Sequence, residues 1–175
     1  MVTEEVVNAA AGNYNNGKEV IALLLDRRGA DVVITEEVVK AAANNYSNGK
    51  EVMALLLDRR EAEVVITEEV VIAAASNKGN SKEVMALLLD RRGTDVVITE
   101  EVVKVAAANP YNDKEVMALL LDWRGADVVI TEEVVKAAAG NYNNGREVIA
   151  LLLDRRGADV VVLSLIHISE PTRPY

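Results

Sequence analysis

The feature that most constrains this chain is a period of 32 residues. The string Thr-Glu-Glu recurs at a fixed interval, at Thr3, Thr35, Thr67, Thr99 and Thr131. No insertion interrupts the register between residues 3 and 162. We therefore divide the chain into five repeats, which are residues 3–34, 35–66, 67–98, 99–130 and 131–162.

The pattern within each repeat predicts two helices. The first helix begins after its Thr, a good N-cap residue, and the two Glu residues that follow suit the positive end of the helix dipole. The second helix begins at an Asn with a Glu three residues later, as in Asn48 and Glu51, which is the spacing of a capping box. Gly29 and its counterparts suit the left-handed position just beyond that helix. Copy two has Glu61 there, so we expect its turn to be strained or differently closed.

A short β-branched segment, such as residues 31–34, links each helix pair to the next. Such segments could form short strands, and stacked links would then make a narrow parallel sheet. The alternative, which we favour because four residues leave little room for a strand, is a buried turn. A single helix pair cannot bury its apolar faces, so five pairs should stack on one another. The predicted fold is all-α, an α-solenoid of five helix-turn-helix repeats.

The composition disfavours enzyme chemistry. The chain has no Cys and one His, His167, so thiol nucleophiles, zinc sites and nucleophile–base dyads lack the residues they need. The Asn-Gly-Lys-Glu string lacks the glycine-rich lead of a phosphate-binding loop. The Glu pairs lie side by side in every repeat, not across a cleft as in glycosidases. We expect no enzymatic activity, and no catalytic, cofactor or metal site.

Charge and hydropathy bear on partners and location. The formal net charge of −9 disfavours nucleic acid and anionic membranes, since both attract basic surfaces. No apolar run approaches the ~20 residues that cross a bilayer, and the first residues do not resemble a secretory signal. We expect a cytoplasmic protein.

Differences between otherwise similar copies indicate a candidate binding surface. They gather in the loops between the two helices of a repeat and at the sixth position of each repeat, and Trp123 replaces an Arg. Tyr and Trp are common interface anchors. Neutral variation at positions that packing does not constrain is the alternative explanation. The candidate partner-binding residues are Tyr14, Tyr46, Lys78, Tyr111, Tyr142, Lys40, Lys104, Trp123 and Lys136.

Charged residues should also line the edge of the stack where repeats are linked. The Arg pairs that end second helices and the Glu pairs that open the next first helices should lie close together there. We expect a solvated lattice of salt bridges, each contributing about 0–1 kcal/mol. The alternative is a charged groove that binds a peptide.

Two resemblances follow from the repeat itself. Residues 19–32, which read Glu-Val-Ile-Ala-Leu-Leu-Leu-Asp-Arg-Arg-Gly-Ala-Asp-Val, resemble the second half of an ankyrin repeat, whereas the first half lacks the ankyrin Thr-Pro-Leu-His pattern. The whole unit is similar to ankyrin-like arrays at the C-termini of fungal NLR-like proteins. That resemblance implies a ligand-sensing array in an intracellular sensor, normally attached to a nucleotide-binding domain.

The repeat pattern fails after Val162. Residues 163–175, which read Leu-Ser-Leu-Ile-His-Ile-Ser-Glu-Pro-Thr-Arg-Pro-Tyr, resemble translated sequencing-adapter DNA. We interpret them as a non-native tail on a truncated array, with a natural divergent tail as the alternative. An array cut between repeats leaves an uncapped face, so end-to-end self-association is also expected.

The function predicted from these patterns is a non-enzymatic scaffold that binds a protein or peptide of unknown identity. The alternative is a structural spacer or self-assembling solenoid without a specific ligand.

Overall fold

A computed structural model describes residues 2–111, 114–125 and 128–155. Within these ranges every regular element is a helix and there is no β-strand. The chain divides into two compact units, Met1–Ile98 and Thr99–Tyr175. The division falls between the third and the fourth repeat.

The first unit stacks three helix pairs in two layers. The first helices of the repeats, α1, α3 and α5, pack side by side, and the second helices, α2, α4 and α6, form the other layer. Each first helix also packs on the second helix of its own repeat. The bounds are α1 Glu4–Ala11, α2 Gly17–Arg28, α3 Glu36–Ala43, α4 Gly49–Arg60, α5 Glu68–Ser76 and α6 Ser81–Arg92.

The second unit has the same construction. Helix α7 (Glu100–Ala108) packs on α8 (Glu115–Arg124) and on α9 (Glu132–Gly140), and residues 145–155 are also helical. The predicted fold class, all-α with stacked helix-turn-helix repeats as in an α-solenoid, is confirmed. The end of the fifth repeat and the tail 163–175, with His167, lie outside the described residues.

The core is built from small and medium aliphatic side chains. In α3, Val38, Val39 and the alanines 42–43 are completely buried, and the short alanine side chains let neighbouring first helices approach closely. In α4, Met53 and Leu56 are completely buried. Burying one such large side chain stabilises the fold by about 1.5–3 kcal/mol.

The Thr residues cap the first helices as predicted. The hydroxyl of Thr35 accepts a hydrogen bond from the Val38 N–H at 3.5 Å and donates one to Glu4 of the preceding repeat at 2.8 Å. The same donation recurs from Thr67 to Glu36. Each cap therefore also joins two repeats.

The capping box predicted for the second helices is wrong for α2, α4 and α6, and the predicted cap Asn112 lies outside the described residues. Asn48 stands at the N-cap of α4, but among the described residues its side chain caps no backbone N–H. Its amide instead donates to the Tyr14 carbonyl of the preceding repeat. Asn45, three residues earlier, accepts hydrogen bonds from the N–H groups of Ser47 and Asn48 at 3.2 and 2.9 Å. The start of α4 is therefore organised by a residue outside the predicted motif.

The left-handed glycine predicted after the second helices is also wrong at Gly29, Gly93 and Gly125, whereas Gly157 lies outside the described residues. Gly29 has a φ of −53°, and Glu61 in the next repeat has a φ of −50°. Both residues begin a 3₁₀ turn, Gly29–Asp31 and Glu61–Glu63, and such a turn requires negative φ. Glu61 therefore fits without strain, and its turn closes as the glycine one does.

The described links form no β-strand, as expected, but they are only partly buried, since the 3₁₀ turns Gly29–Asp31 and Glu61–Glu63 contain no buried residue. After the 3₁₀ turn the chain is extended, with Val32 and Ile34 buried and Val33 60% exposed. Among the described residues, no helix is long and apolar enough to cross a membrane.

Candidate interaction surface

Two edges of the stacked helix pairs carry the candidate residues. We call the loops between the two helices of a repeat the loop edge; they are residues 12–16, 44–48, 77–80, 109–111 and 141–144. We call the turns and extended links between repeats the link edge; they are residues 29–35, 61–67, 93–98 and 128–131.

Within each unit, a buried asparagine anchors a loop to the repeat before it. The Asn77 amide donates to the carbonyls of Ala43 and Asn45 at 2.8 and 3.0 Å. Its oxygen accepts hydrogen bonds from the N–H groups of Gly79 and Asn80 at 2.9 and 2.8 Å. The Asn77 side chain is completely buried, and these four bonds use its whole hydrogen-bonding capacity.

The same anchor recurs in both units. Asn45 donates to the carbonyls of Ala11 and Asn13, and Asn141 donates to those of Ala107 and Asn109, all at 2.9–3.0 Å. This row was not among the predicted residues, because the loops stand out in the sequence chiefly as its most variable segments. The signal was available, since one loop residue is identical in all five copies: Asn13, Asn45, Asn77, Asn109 and Asn141.

A second row of asparagines holds the loop backbone from outside. The Asn80 amide donates to the Tyr46 carbonyl at 2.7 Å, and the Asn144 amide donates to the Pro110 carbonyl at 2.9 Å. Both acceptors lie in the preceding loop. The loop edge therefore has a backbone fixed by side-chain amides within each unit.

Two of the predicted tyrosines meet on this backbone in the first unit. The rings of Tyr14 and Tyr46 stack with centroids 4.9 Å apart and an angle of 30° between the planes. Each side chain is about half exposed. Lys78 is exposed at the equivalent position of the third repeat. The outer residue of the loop thus changes from aromatic to cationic along the edge.

The other two tyrosines meet in the second unit. A hydrogen bond between Tyr111 and Tyr142 raises the pKa of the Tyr142 phenol above its usual value. Tyr142 is 79% exposed and Tyr111 is 54% exposed. The four predicted tyrosines therefore meet as two pairs, one pair in each unit.

The predicted lysines on the first helices point elsewhere. Lys40 pairs with Glu37 at 2.9 Å, Lys104 pairs with Glu101 at 2.7 Å, and Lys136 contacts both Glu residues of its first turn. Each ammonium group donates hydrogen bonds to these carboxylates, and this raises its pKa. Because the carboxylates lie toward the helix start, the ammonium groups turn away from the loop edge.

Trp123 is separate from the tyrosines. It is 49% exposed in the last turn of α8, eight residues after that helix begins at Glu115. At 1.5 Å per residue, this places it about 12 Å along the helix from the loop end. The structure does not bring Trp123 together with Tyr111.

The charged lattice predicted for the link edge has different partners. Arg59 pairs with Asp26 at 3.1 Å, and Arg91 pairs with Asp58 at 3.0 Å. Since second helices pack side by side, each Arg reaches the end of the preceding second helix, and the predicted Arg–Glu pairing is wrong. All four side chains are well exposed, so each pair contributes only about 0–1 kcal/mol.

In the second and third repeats, the second Arg of the pair closes the preceding link. The Arg60 guanidinium donates to the carbonyls of Gly29 and Val32 at 2.8 and 3.0 Å, and it forms an ion pair with Glu63. The hydrogen bond from Arg60 holds the pKa of the Glu63 carboxyl below its usual value. Arg92 repeats this arrangement with the carbonyls of Glu61 and Val64.

Among the described residues, no group of three or more acidic or His side chains is arranged to hold a metal ion. The geometry offers exposed aromatic and charged side chains on a hydrogen-bonded backbone, which is the chemistry of a contact surface.

The comparisons with known proteins agree with the repeat construction. A sequence model for a domain of unknown function, DUF7104, matches residues 1–20, 23–53, 55–85, 87–117 and 119–148. The last four matches begin 32 residues apart, and each runs from the middle of a second helix through the next first helix into the following second helix. No curated protein and no solved structure matches the chain. Because the five matches cover most of its length, the protein belongs to the DUF7104 family of repeat domains.

Proposed function

We propose that this protein is a non-enzymatic repeat scaffold that binds a protein or peptide partner through its loop edge. The observation that carries the proposal is the stacked pair of half-exposed tyrosines, Tyr14 and Tyr46, on a loop backbone anchored by buried Asn45. A surface that is already ordered loses little conformational entropy when a partner binds.

The residues of the loop edge divide into two sets with different roles. The anchoring asparagine is the same residue type in every loop, whereas the outer residue is Tyr14, Tyr46 or Lys78 in the three repeats of the first unit. Tyrosine provides a large contact area with few rotatable bonds. Copies of one repeat can therefore present different contact residues without a change in the fold.

The resemblance to ankyrin-like arrays of fungal NLR-like proteins supports a more specific role. We propose that the repeats form the recognition array of a cytoplasmic sensor. The ion-paired lysines on the first helices and Trp123 lie off the loop edge, so the tyrosines and Lys78 are its main contact residues.

Self-association is a second candidate function. In the first repeat, Val6 is 46% exposed and Leu23 is 56% exposed, whereas Val38, the counterpart of Val6, is completely buried. This exposed face has the composition of a surface on which another repeat would stack. Light scattering over a range of concentrations tests this candidate, since self-association requires a mass that rises with concentration.

The test of the proposed function is a selection of binding peptides. The purified protein is screened with a phage-displayed library of random dodecapeptides, and the selected peptides are titrated by fluorescence anisotropy. We expect the double variant Tyr14→Ala/Tyr46→Ala to weaken their binding at least tenfold, because stacked aromatic anchors contribute strongly to interfaces. Both rings are half exposed, so the variant should remain folded by circular dichroism.

The matched control is Val33→Ser, a comparably exposed residue on the link edge. It should leave the affinities unchanged. Selected peptides that bind the double variant as tightly as the parent protein would reject the loop edge as the binding surface.

A further inference from the structure

The outer face of the second helices in the first unit carries the same shallow groove twice. The groove between α2 and α4 has a volume of about 230 Å³ and is lined by Lys18, Lys50, Glu51, Ala54, Leu55 and Asp58. The groove between α4 and α6 has a volume of about 390 Å³, and its lining contains the counterparts of these residues one repeat later. Lys50 lines both grooves, so the two sites adjoin.

Each groove combines an apolar part with a charged rim. Ala54 and Leu55 are partly buried, and the small Ala54 side chain leaves the space that forms the depression. The rim residue Asp58 is already paired with Arg91 at 3.0 Å. An apolar contact is therefore available beside Leu55, and the remaining charges lie at the loop end of the groove.

The two lysines of the first groove are not used by the fold. Among the described residues, neither Lys18 nor Lys50 forms an ion pair or a side-chain hydrogen bond, whereas Lys40 on a first helix pairs with Glu37. Both lie in the first turn of their helices, where the helix dipole disfavours a cation. These two ammonium groups outnumber the one carboxylate beside them, Glu51, so this end of the groove attracts negative charge.

The spacing of the grooves matches an extended chain. Helices packed side by side lie roughly 8–10 Å apart, and the grooves follow that interval. A polyproline II segment advances about 9 Å in three residues. A peptide of this conformation that crosses the second helices places every third side chain in a successive groove.

We propose that these grooves bind an extended peptide with an apolar residue at every third position and an acidic residue beside it. The apolar side chains contact Leu55 and Leu87, and the carboxylates face Lys18 and Lys50. This surface lies on the helices and not on the tyrosines of the loop edge, so it goes beyond the function proposed above.

The test uses labelled synthetic peptides and the full chain. Fluorescence anisotropy compares four repeats of Glu-Leu-Pro with four repeats of Lys-Leu-Pro and with six repeats of Glu-Leu. We expect the Glu-Leu-Pro peptide to bind at least tenfold more tightly than either of the others, and added salt to weaken it. Absence of binding, or equal binding of the Lys peptide, would overturn the proposal.

Two substitutions assign the peptide to the grooves. Lys50→Glu inverts the charge shared by both grooves and should weaken binding of the Glu-Leu-Pro peptide at least tenfold. Lys40→Glu on a first helix should leave this binding unchanged. The double variant Tyr14→Ala/Tyr46→Ala should bind this peptide as the parent protein does. Loss of binding in the tyrosine variant with retention in Lys50→Glu would overturn the groove proposal and leave the loop edge as the site.

Discussion

The loop edge and the link edge join neighbouring repeats by the same principle but with different side chains. On the loop edge, the Asn77 amide donates to two backbone carbonyls of the preceding repeat. On the link edge, the Arg60 guanidinium does so. Asn77 is completely buried, whereas the Arg60 side chain keeps 23% of its surface exposed and pairs with Glu63. A neutral amide with every hydrogen bond satisfied can be buried, but a guanidinium needs water and a counter-ion.

This difference explains which residues vary between copies. The asparagine is present in all five repeats and is buried in four of them, where a substitution would leave buried carbonyl and N–H groups without partners. The exposed Arg that pairs with an Asp is replaced by Trp123 in the fourth repeat. An exposed ion pair contributes only roughly 0–1 kcal/mol, so its loss costs the fold little.

The largest expected effect is therefore on the loop edge. Asn77→Leu removes four hydrogen bonds and leaves two buried carbonyls and the start of α6 unsatisfied. We expect a loss of about 2–4 kcal/mol in the free energy of unfolding. Urea denaturation followed by circular dichroism measures it.

The matched control is Asn13→Leu in the first loop. Asn13 is exposed, and its oxygen caps the N–H groups of Asn15 and Asn16. Only a capping loss of about 1 kcal/mol is expected. Equal losses of unfolding free energy in the two variants would show that burial and the hydrogen bonds between repeats add no stability. The proposed difference between the loop edge and the link edge would then be wrong.

A smaller effect is expected on the link edge. Arg60→Ala removes two bonds to carbonyls that water can reach, together with the packing of the aliphatic stem. We expect a loss of about 1–2 kcal/mol by the same measurement. Arg28→Ala is the control, since the Arg28 side chain is 63% exposed and pairs only weakly with Asp31 at 3.5 Å. If Arg60→Ala lowered the free energy of unfolding as much as Asn77→Leu, buried and exposed hydrogen bonds between repeats would not differ in strength, which contradicts the prediction.

The stabilisation from the ion pair between Arg60 and Glu63 depends on pH. Its pKa is lowered in the folded state by the Arg60 hydrogen bond, so the pair stabilises the fold above the unfolded pKa, which is about 4.3. That stabilisation is lost as the pH falls through the lowered pKa. The stability difference between the parent protein and Glu63→Gln should therefore shrink from pH 7 to pH 3.

The features that were predictable from sequence are those decided within one repeat. The period, the helix pairs and the Thr caps follow from local patterns. The wrong predictions concern residues whose partners lie in another repeat. The amide of Asn48 is bound by the Tyr14 carbonyl, and the turn at Gly29 is closed by Arg60. The grooves beside Leu55 were not predictable, since they depend on how far neighbouring second helices separate.

The smallest expected effect is that of a Gly→Ala substitution on the link edge. Gly29, on the link edge, has a φ of −53°, and among the described residues nothing lies within 4 Å of an added Cβ. Gly29→Ala should therefore stabilise the fold by about 0.4–1 kcal/mol, because alanine has less conformational freedom to lose on folding.

Gly79, on the loop edge, should respond with the opposite sign. Its added Cβ would collide with the Tyr46 carbonyl oxygen, which Asn80 holds in place at 2.7 Å. Gly79→Ala should lower stability by about 1–3 kcal/mol, because backbone held by side-chain amides cannot move aside at low cost. The melting temperatures of the two variants, compared with that of the parent protein, test whether the two stability changes have opposite signs. Equal shifts would mean that the loop edge is no more tightly held than the link edge, and the structural basis for a preorganised binding surface would be lost.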